Sequence, residues 1–442
     1  MNENELKRVL TLKDLVIYGI AFMTPIAPAY IYGYVAGPTG GLLTTAYLIA
    51  MVAMMFSAYS YGRMAAAFPY GGSTYTYTQR AINHNLGFFA GWAMFMDYVL
   101  VPLIVFMVGA SYANALVPSV PYWVWVILIA VIITTVNILG IGIAAKTNQI
   151  LVTFMGIVVV IFIIFCIKFI VGGESGDTSL LSIAPFFNDH DFVMSVLISG
   201  AAMACFSFIG FDSITTLSEE AVNPKDDIWK AAMLACLIGG LIFISQAYVS
   251  QLVWPDATSF ISEDTALFEI AERAGGAFLA TIYTIAVIVS TITAGLTGQA
   301  SASRLMFTMG RDEMLPKKFF THLHPKYKTP VYNIVLMGAL SIIGAIFLTA
   351  SNVAELMNFG ALLGFMFVNL SVIVHYYFRQ KNRKFIRYFL IPALGFAICF
   401  YLFINLSTST LAIGFVWLLI GLVYALFITK GFTKPAPAFK EL

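Results

Sequence analysis

The stretch Gly19-Ile-Ala-Phe-Met-Thr-Pro-Ile-Ala-Pro28 lies inside an apolar run long enough to cross a bilayer. Pro25 and Pro28 each remove a backbone donor and disturb the turn before them. A second stretch, Cys205-Phe-Ser-Phe-Ile-Gly-Phe-Asp212, interrupts another such run, with Gly210 as the permissive residue. Backbone groups freed by a break cannot face lipid, so each break implies a polar cavity inside the protein. A simple kink is the plainer reading of either break alone. Two breaks in corresponding positions weigh against it.

Outward from these breaks the chain is apolar throughout. Of its 442 residues, 60% are hydrophobic and 10% charged, against roughly 25% charged in soluble domains. That excludes a soluble globular protein, a disordered chain and a disulfide scaffold. A span needs about 20 apolar residues, so the composition allows about twelve. The expected spans are Thr11–Val35, Leu42–Tyr61, Leu86–Ala113, Tyr122–Leu139, Ile150–Ile170, Phe192–Thr216, Ala231–Leu252, Ala277–Ser301, Val331–Leu348, Val353–Tyr376, Tyr388–Phe403 and Leu411–Ile428. With the N-terminus in the cytoplasm, 22 of the 24 Lys and Arg fall inside, and only Lys168 and Arg273 outside. That is the asymmetry the positive-inside rule requires. Both termini are then cytoplasmic. The outward loops hold nine acids (Glu174, Asp177, Asp189, Asp191, Asp256, Glu263, Asp264, Glu269 and Glu272). They are either the remainder of a rule that moves bases inward or a vestibule that concentrates a cation.

Loop lengths repeat. A long polar connection, Gly62 to Asn85, follows span 2, and another, Trp254 to Gly276, follows span 7 on the opposite side. Two five-span halves of inverted topology give this pattern and place a solute site at mid-membrane, where the first helix of each half breaks. The expected architecture is all-α: one transmembrane domain over 1–442, with repeats at about 11–170 and 192–376 and two further helices at 388–428.

Few ionisable residues lie deep in a span. Asp97 is near the centre of span 3, beside Tyr98, and Asp212 is just past the break in span 6. A buried carboxylate costs about 2.5–3.5 kcal/mol by insertion scales and usually has a task. It holds an ammonium group, carries a proton between the two sides, or is a structural carboxylate bonded to a neighbouring helix. Glu355 falls near an outer end and reads as solvated, and Lys168 as snorkelling. Phe208 and Phe211 flank the span 6 break and are candidates to cover a cation, with helix packing as the alternative. Tyr30 is expected just outside the span 1 break. The four cysteines sit in apolar runs without metal-ligand spacing. No phosphate loop, HExxH, GxSxG or His and Cys cluster is present. The net charge of +2 gives no support for nucleic acid.

Four stretches carry a resemblance. They are Phe68-Pro-Tyr-Gly-Gly-Ser-Thr-Tyr-Thr-Tyr77 with Gly87-Phe-Phe-Ala-Gly-Trp92; Phe206-Ser-Phe-Ile-Gly-Phe-Asp212 with Ser218-Glu-Glu-Ala-Val-Asn-Pro224; Ser303-Arg-Leu-Met-Phe-Thr-Met-Gly-Arg-Asp312 with His324-Pro-Lys-Tyr-Lys-Thr-Pro330; and Asn358-Phe-Gly-Ala-Leu-Leu-Gly-Phe365. With them the chain resembles the amino acid–polyamine–organocation permeases over nearly its full length, nearest to bacterial putrescine importers. Those share the Thr24-Pro25 element and the Asp97-Tyr98 pair. The resemblance implies a LeuT-type core of five plus five helices with helices 1 and 6 broken, alternating access, no cofactor and a plasma-membrane location. Substrate contacts are implied at Met23, Thr24, Pro25, Ile26, Tyr30, Asp97, Tyr98, Ser207, Phe208, Ile209, Gly210 and Phe211, with proton coupling at Asp212.

Two departures matter. Amino-acid carriers of this kind have a Gly-rich first break that holds a carboxylate, whereas Met23-Thr-Pro-Ile-Ala-Pro28 favours a substrate bearing amines only. Putrescine importers carry an acid near the position of Tyr30, and here it is absent. Where some relatives place a Lys in span 5, this chain has Met155. Ser290, Thr291 and Thr293 are candidate sodium ligands, although hydroxyls on a transmembrane helix commonly bond their own backbone. The expected function is import of a small amine such as putrescine, coupled to protons. A proton- or sodium-coupled amino-acid importer is the alternative, and a channel or solute sensor is more remote. The oligomeric state stays open.

Overall fold

The computed structural model of the protein describes residues 8–69, 73–140, 145–173, 179–187, 193–218, 220–311, 315–431 and 433. Of the residues singled out above, Tyr70, Gly71, Gly72, Glu174, Asp177, Asp189, Asp191, Glu219 and Asp312 lie outside them. Eleven described helices are long and apolar enough to cross a membrane, and Val331–Phe347, with 17 residues, makes a twelfth.

Span 1 is Leu12–Met23, continued after a break by Ala27–Tyr30 and Tyr32–Ala36. Span 2 is Leu43–Ala67, span 3 His84–Leu116, span 4 Tyr122–Leu139 and span 5 Ala145–Val171. Span 6 is Met194–Ala204, then Cys205–Phe208 and Phe211–Leu217. Span 7 is Pro224–Val253, span 8 lies in Ala266–Arg311, and span 9 is Val331–Phe347. Span 10 is Ala350–Val372, span 11 Ile391–Ile404 and span 12 Thr408–Ile428. Several run past the apolar cores that predicted them. Span 7 starts at Pro224 because proline suits the first helical position and Asp226 and Asp227 meet the positive end of the helix dipole. Before span 8 proper, the chain bends at Gly276, whose φ of 63° interrupts the helix.

The packing repeats when each of spans 1–5 is exchanged with its counterpart in spans 6–10. Span 2 packs on span 7, span 3 on span 8, and span 4 on span 9. Span 1 packs on span 7 as span 6 packs on span 2, and span 5 packs on span 8 as span 10 packs on span 3. Small residues permit these approaches. At Gly360 of span 10, an added Cβ would lie 2.6 Å from the Ala93 carbonyl of span 3. Spans 11 and 12 stand outside this scheme, against span 10.

The loop after span 7 folds onto the second half of span 1. Glu269, only 9% exposed, accepts from the Ile261 and Ser262 amides at 3.0 Å each. Expected as one of a set of outward acids, it is instead buried as the staple of this loop, whereas Asp256, Glu263, Asp264 and Glu272 are exposed. Gly33 is the contact point, since a Cβ there would sit 2.3 Å from the Glu263 carbonyl. Glu355 is likewise not free in solvent. It accepts from Ser407 and, at 2.5 Å, from Thr410 Oγ1, joining span 10 to the start of span 12.

Candidate solute site

Span 1 begins with a capping box in which Thr11 and Asp14 bond each other's backbone amides. It stops at Thr24, whose φ of 53° and position before Pro25 exclude a further helical turn. Proteins must satisfy the carbonyls such a break frees. Gln246 of span 7, fully buried, donates from Nε2 to the Pro25 carbonyl at 2.8 Å. Tyr112 of span 3 donates to the Ala29 carbonyl at 3.1 Å.

In span 6 the break falls at Ile209 and Gly210, and Gly210 has a φ of 120°. A Cβ there would meet the Phe22 ring at 2.3 Å. The run Phe211–Leu217 then winds as a 3₁₀ helix. Its hydroxyls explain why: Ser213 donates to the Gly210 carbonyl at 2.5 Å, Thr215 to Asp212 at 2.7 Å, and Thr216 to Ser213 at 2.6 Å. Asp212 Oδ1 accepts from the Gly210 amide at 3.2 Å.

Between the two breaks lies a cavity of about 540 Å³. Leu10, Asp14, Gln149 and Glu220 mark its mouth, on the face that bears the N-terminus, and Tyr30, Phe206 and Ser290 its deep end. Among the described residues no Lys or Arg lines it, and Asp14 and Glu220 are its only carboxylates. At the deep end three hydroxyls meet. Ser290 Oγ is 2.9 Å from Thr24 Oγ1 and 3.0 Å from the Tyr30 hydroxyl. Thr24 Oγ1 also donates to Met155 Sδ at 3.4 Å. The Tyr30 and Phe206 rings are 6.1 Å apart.

The wall thus contains Met23, Thr24, Tyr30 and Ile209 of the expected substrate residues, and Ser290 and Thr293 of the expected sodium ligands. The others stand behind it. Pro25 and Ile26 are buried in the turn, and Ser207 turns to the Tyr47 hydroxyl at 2.9 Å. Phe208 packs edge-on against Phe243 at 5.3 Å, and Phe211 lies 5.2 Å from Phe365. The 3₁₀ winding explains this division. With three residues per turn, Phe206 and Ile209 share the cavity face and Phe208 does not, while Phe211 lies past the break at Gly210. The aromatic cover expected from Phe208 and Phe211 falls instead to Phe206 and Phe22.

Asp97 is buried against span 10, with Oδ1 unpartnered among the described residues. Its charge and that of Asp212 lie close enough to interact, and Tyr61, Tyr77 and Tyr98 stand near Asp212. Neither acid, nor Tyr98 or Gly210, is part of the cavity wall in this conformation. Thr291 faces span 3, where a Cβ on Gly109 would lie 2.7 Å from its Oγ1, and bonds its own helix at Ile288. Thr293 bonds Val289 of its own helix. The three candidate sodium ligands therefore do not converge. Gln246 is the residue the sequence reading passed over, although an amide in the middle of an apolar span is the same kind of signal as a buried acid.

Two facing broken helices around a central cavity, in a bundle whose halves repeat, define the class: a polytopic membrane carrier. A model of the amino acid permease family matches residues 14–438. The low-affinity putrescine importer PlaP of Escherichia coli is 37% identical over 99% of this chain and 97% of that one. The branched-chain amino acid permease BcaP of Bacillus subtilis is 28% identical over 97% and 94%. A manganese transporter of Eremococcus coleocola, solved as a point mutant, shares the fold with a TM-score of 0.58 and 12% identity, over 95% of this chain and 94% of that one. The chain belongs to the amino acid permease family, whose members are transporters and not enzymes.

Proposed function

We propose that the protein imports a small polyamine, putrescine being the best candidate, by alternating access, with both termini in the cytoplasm and protons coupled through Asp212. The observation that carries this is the cavity. Among the described residues it holds no base, it has two carboxylates at its mouth, and its deep end gathers three hydroxyls, the Met155 thioether and aromatic faces. Such a lining accepts ammonium groups through hydroxyl oxygens and ring faces and offers little to a carboxylate. Pro25 and Pro28 further strip the first break of amide donors. The similarity to PlaP supports the same class.

A mouth on the face that bears the N-terminus fits a carrier open toward the cytoplasm. The bond from the Gly210 amide to Asp212 suggests how a proton is coupled: it is charge-assisted only while the carboxylate is ionised. Protonating Asp212 weakens a bond that shapes the break. An amino-acid importer is the second reading, favoured by the BcaP similarity.

The test is uptake into proteoliposomes of labelled putrescine, arginine, serine and glutamate, with and without a pH gradient. Saturable, counterflow-competent putrescine flux is expected. Serine or glutamate transport without putrescine binding would sink the polyamine reading. Asp212→Asn should lose pH-driven accumulation and keep counterflow. An unchanged pH response in that variant would remove Asp212 from the coupling. Asp97→Asn should weaken putrescine binding, and unchanged affinity would end any role for Asp97 as an anchor.

A further inference from the structure

Between Glu355 and Glu441 the chain has no acidic residue and eight Lys and Arg. Five of these, Arg379, Lys381, Arg383, Lys384 and Arg387, fall in the connection between spans 10 and 11. At both ends of this connection the helix widens to the π form, at Ile373–Arg379 and Ile386–Leu390. Lys381, Arg383 and Lys384 are exposed and have no carboxylate partner among the described residues. Arg379 points elsewhere, donating to the Arg80 and Ile82 carbonyls at 3.0 and 2.7 Å.

Apolar side chains are interleaved with these cations. Phe378, Phe385 and Ile386 are 56%, 49% and 66% exposed. The Arg383 guanidinium lies 4.8 Å over the Tyr377 ring, which is 5.2 Å from Phe389, itself stacked at 5.2 Å on Phe385. The positive-inside rule accounts for basic residues here, but not for exposed apolar side chains among them. At the ends of two spans, such side chains lie at the acyl boundary and the cations at the level of the phosphates. A soluble anion would use the cations and leave Phe378, Phe385 and Ile386 in water.

We propose that the connection 377–389 is a docking surface for the phosphodiester headgroups of anionic phospholipids in the leaflet on the N-terminal side. The full chain in detergent is titrated with phosphatidylglycerol or phosphatidylcholine, and the first bound lipid is followed by native mass spectrometry. Phosphatidylglycerol should bind at least about fivefold tighter, the effect of a single base near an anionic surface. The triple variant Lys381→Gln, Arg383→Gln, Lys384→Gln should lose that preference. A control of equal charge change, Lys318→Gln, Lys326→Gln, Lys328→Gln, should keep it. The proposal is overturned by a wild-type protein without preference, or by a control that loses as much as the loop variant. It is also overturned if glycerol 3-phosphate binds as tightly as the lipid, which would make a free phosphate the occupant. Because the first comparison uses the unaltered chain, a misfolded variant does not remove the test.

Discussion

Ser290 binds two hydroxyls from the broken first span at once, Thr24 Oγ1 and that of Tyr30. It is therefore the polar centre of the deep end, whereas Thr293 on the same wall spends its hydroxyl on the Val289 carbonyl. Removing an oxygen that faces the solute costs about 1 kcal/mol. Ser290→Ala should raise the KM for putrescine about fivefold, and Thr293→Ala by less than about twofold; concentration-dependent uptake checks the pair. Gln246 acts from outside the wall, by satisfying the Pro25 carbonyl. Gln246→Leu keeps the volume and leaves that carbonyl buried without a donor, a loss of roughly 1–3 kcal/mol. A lower thermal unfolding midpoint in detergent is the expected outcome, and an unchanged midpoint would show that the break needs no such support.

The broken elements do not end independently. The Val9 and Leu10 amides donate to the Glu220 carbonyl at 2.9 and 3.0 Å, and the Val222 amide returns a bond to Leu10 at 2.9 Å. These bonds join the start of span 1 to the end of span 6. Gly19 reinforces the pairing, since a Cβ there would meet Ile214 at 2.4 Å. The two half-helices at the mouth are thus built to move together. Spans 3 and 12 are also locked by reciprocal bonds. Trp92 Nε1 donates to the Trp417 carbonyl at 2.9 Å, Trp417 Nε1 donates to the Trp92 carbonyl at 3.0 Å, and the rings stack at 4.9 Å. Trp417→Phe removes one bond and part of the stack. It should cost about 1–2 kcal/mol of stability and leave KM unchanged, because neither Trp lines the cavity; unfolding and uptake measured together test this.

For the whole molecule, charge placement sets the energetics of transport. Each positive charge entering across ~100 mV gains about 2.3 kcal/mol. A dication gains about 4.6 kcal/mol, a gradient of roughly a thousandfold. Putrescine accumulation should therefore follow an inside-negative potential even in Asp212→Asn vesicles without a pH gradient. Clamping the potential to zero with potassium and valinomycin should abolish it. Accumulation indifferent to the potential would mean that no net charge enters with the solute.

The chain's own residues determined the twelve spans, the two breaks and the deep acids, because burial in lipid demands long apolar runs and makes each proline, glycine or carboxylate within them conspicuous. Asp97 and Asp212 were legible in this way. Their position behind the cavity wall was not, because it depends on how spans 3, 6 and 10 pack. Phe206 and Phe208 differ only in which face of a 3₁₀ turn they occupy, and two phenylalanines two residues apart look alike in the sequence. The gathering of Thr24, Tyr30 and Ser290 joins positions 266 and 260 residues apart, and no local pattern marks it. What the bilayer imposes is written along the chain; which side chains share the cavity was decided by helix packing alone.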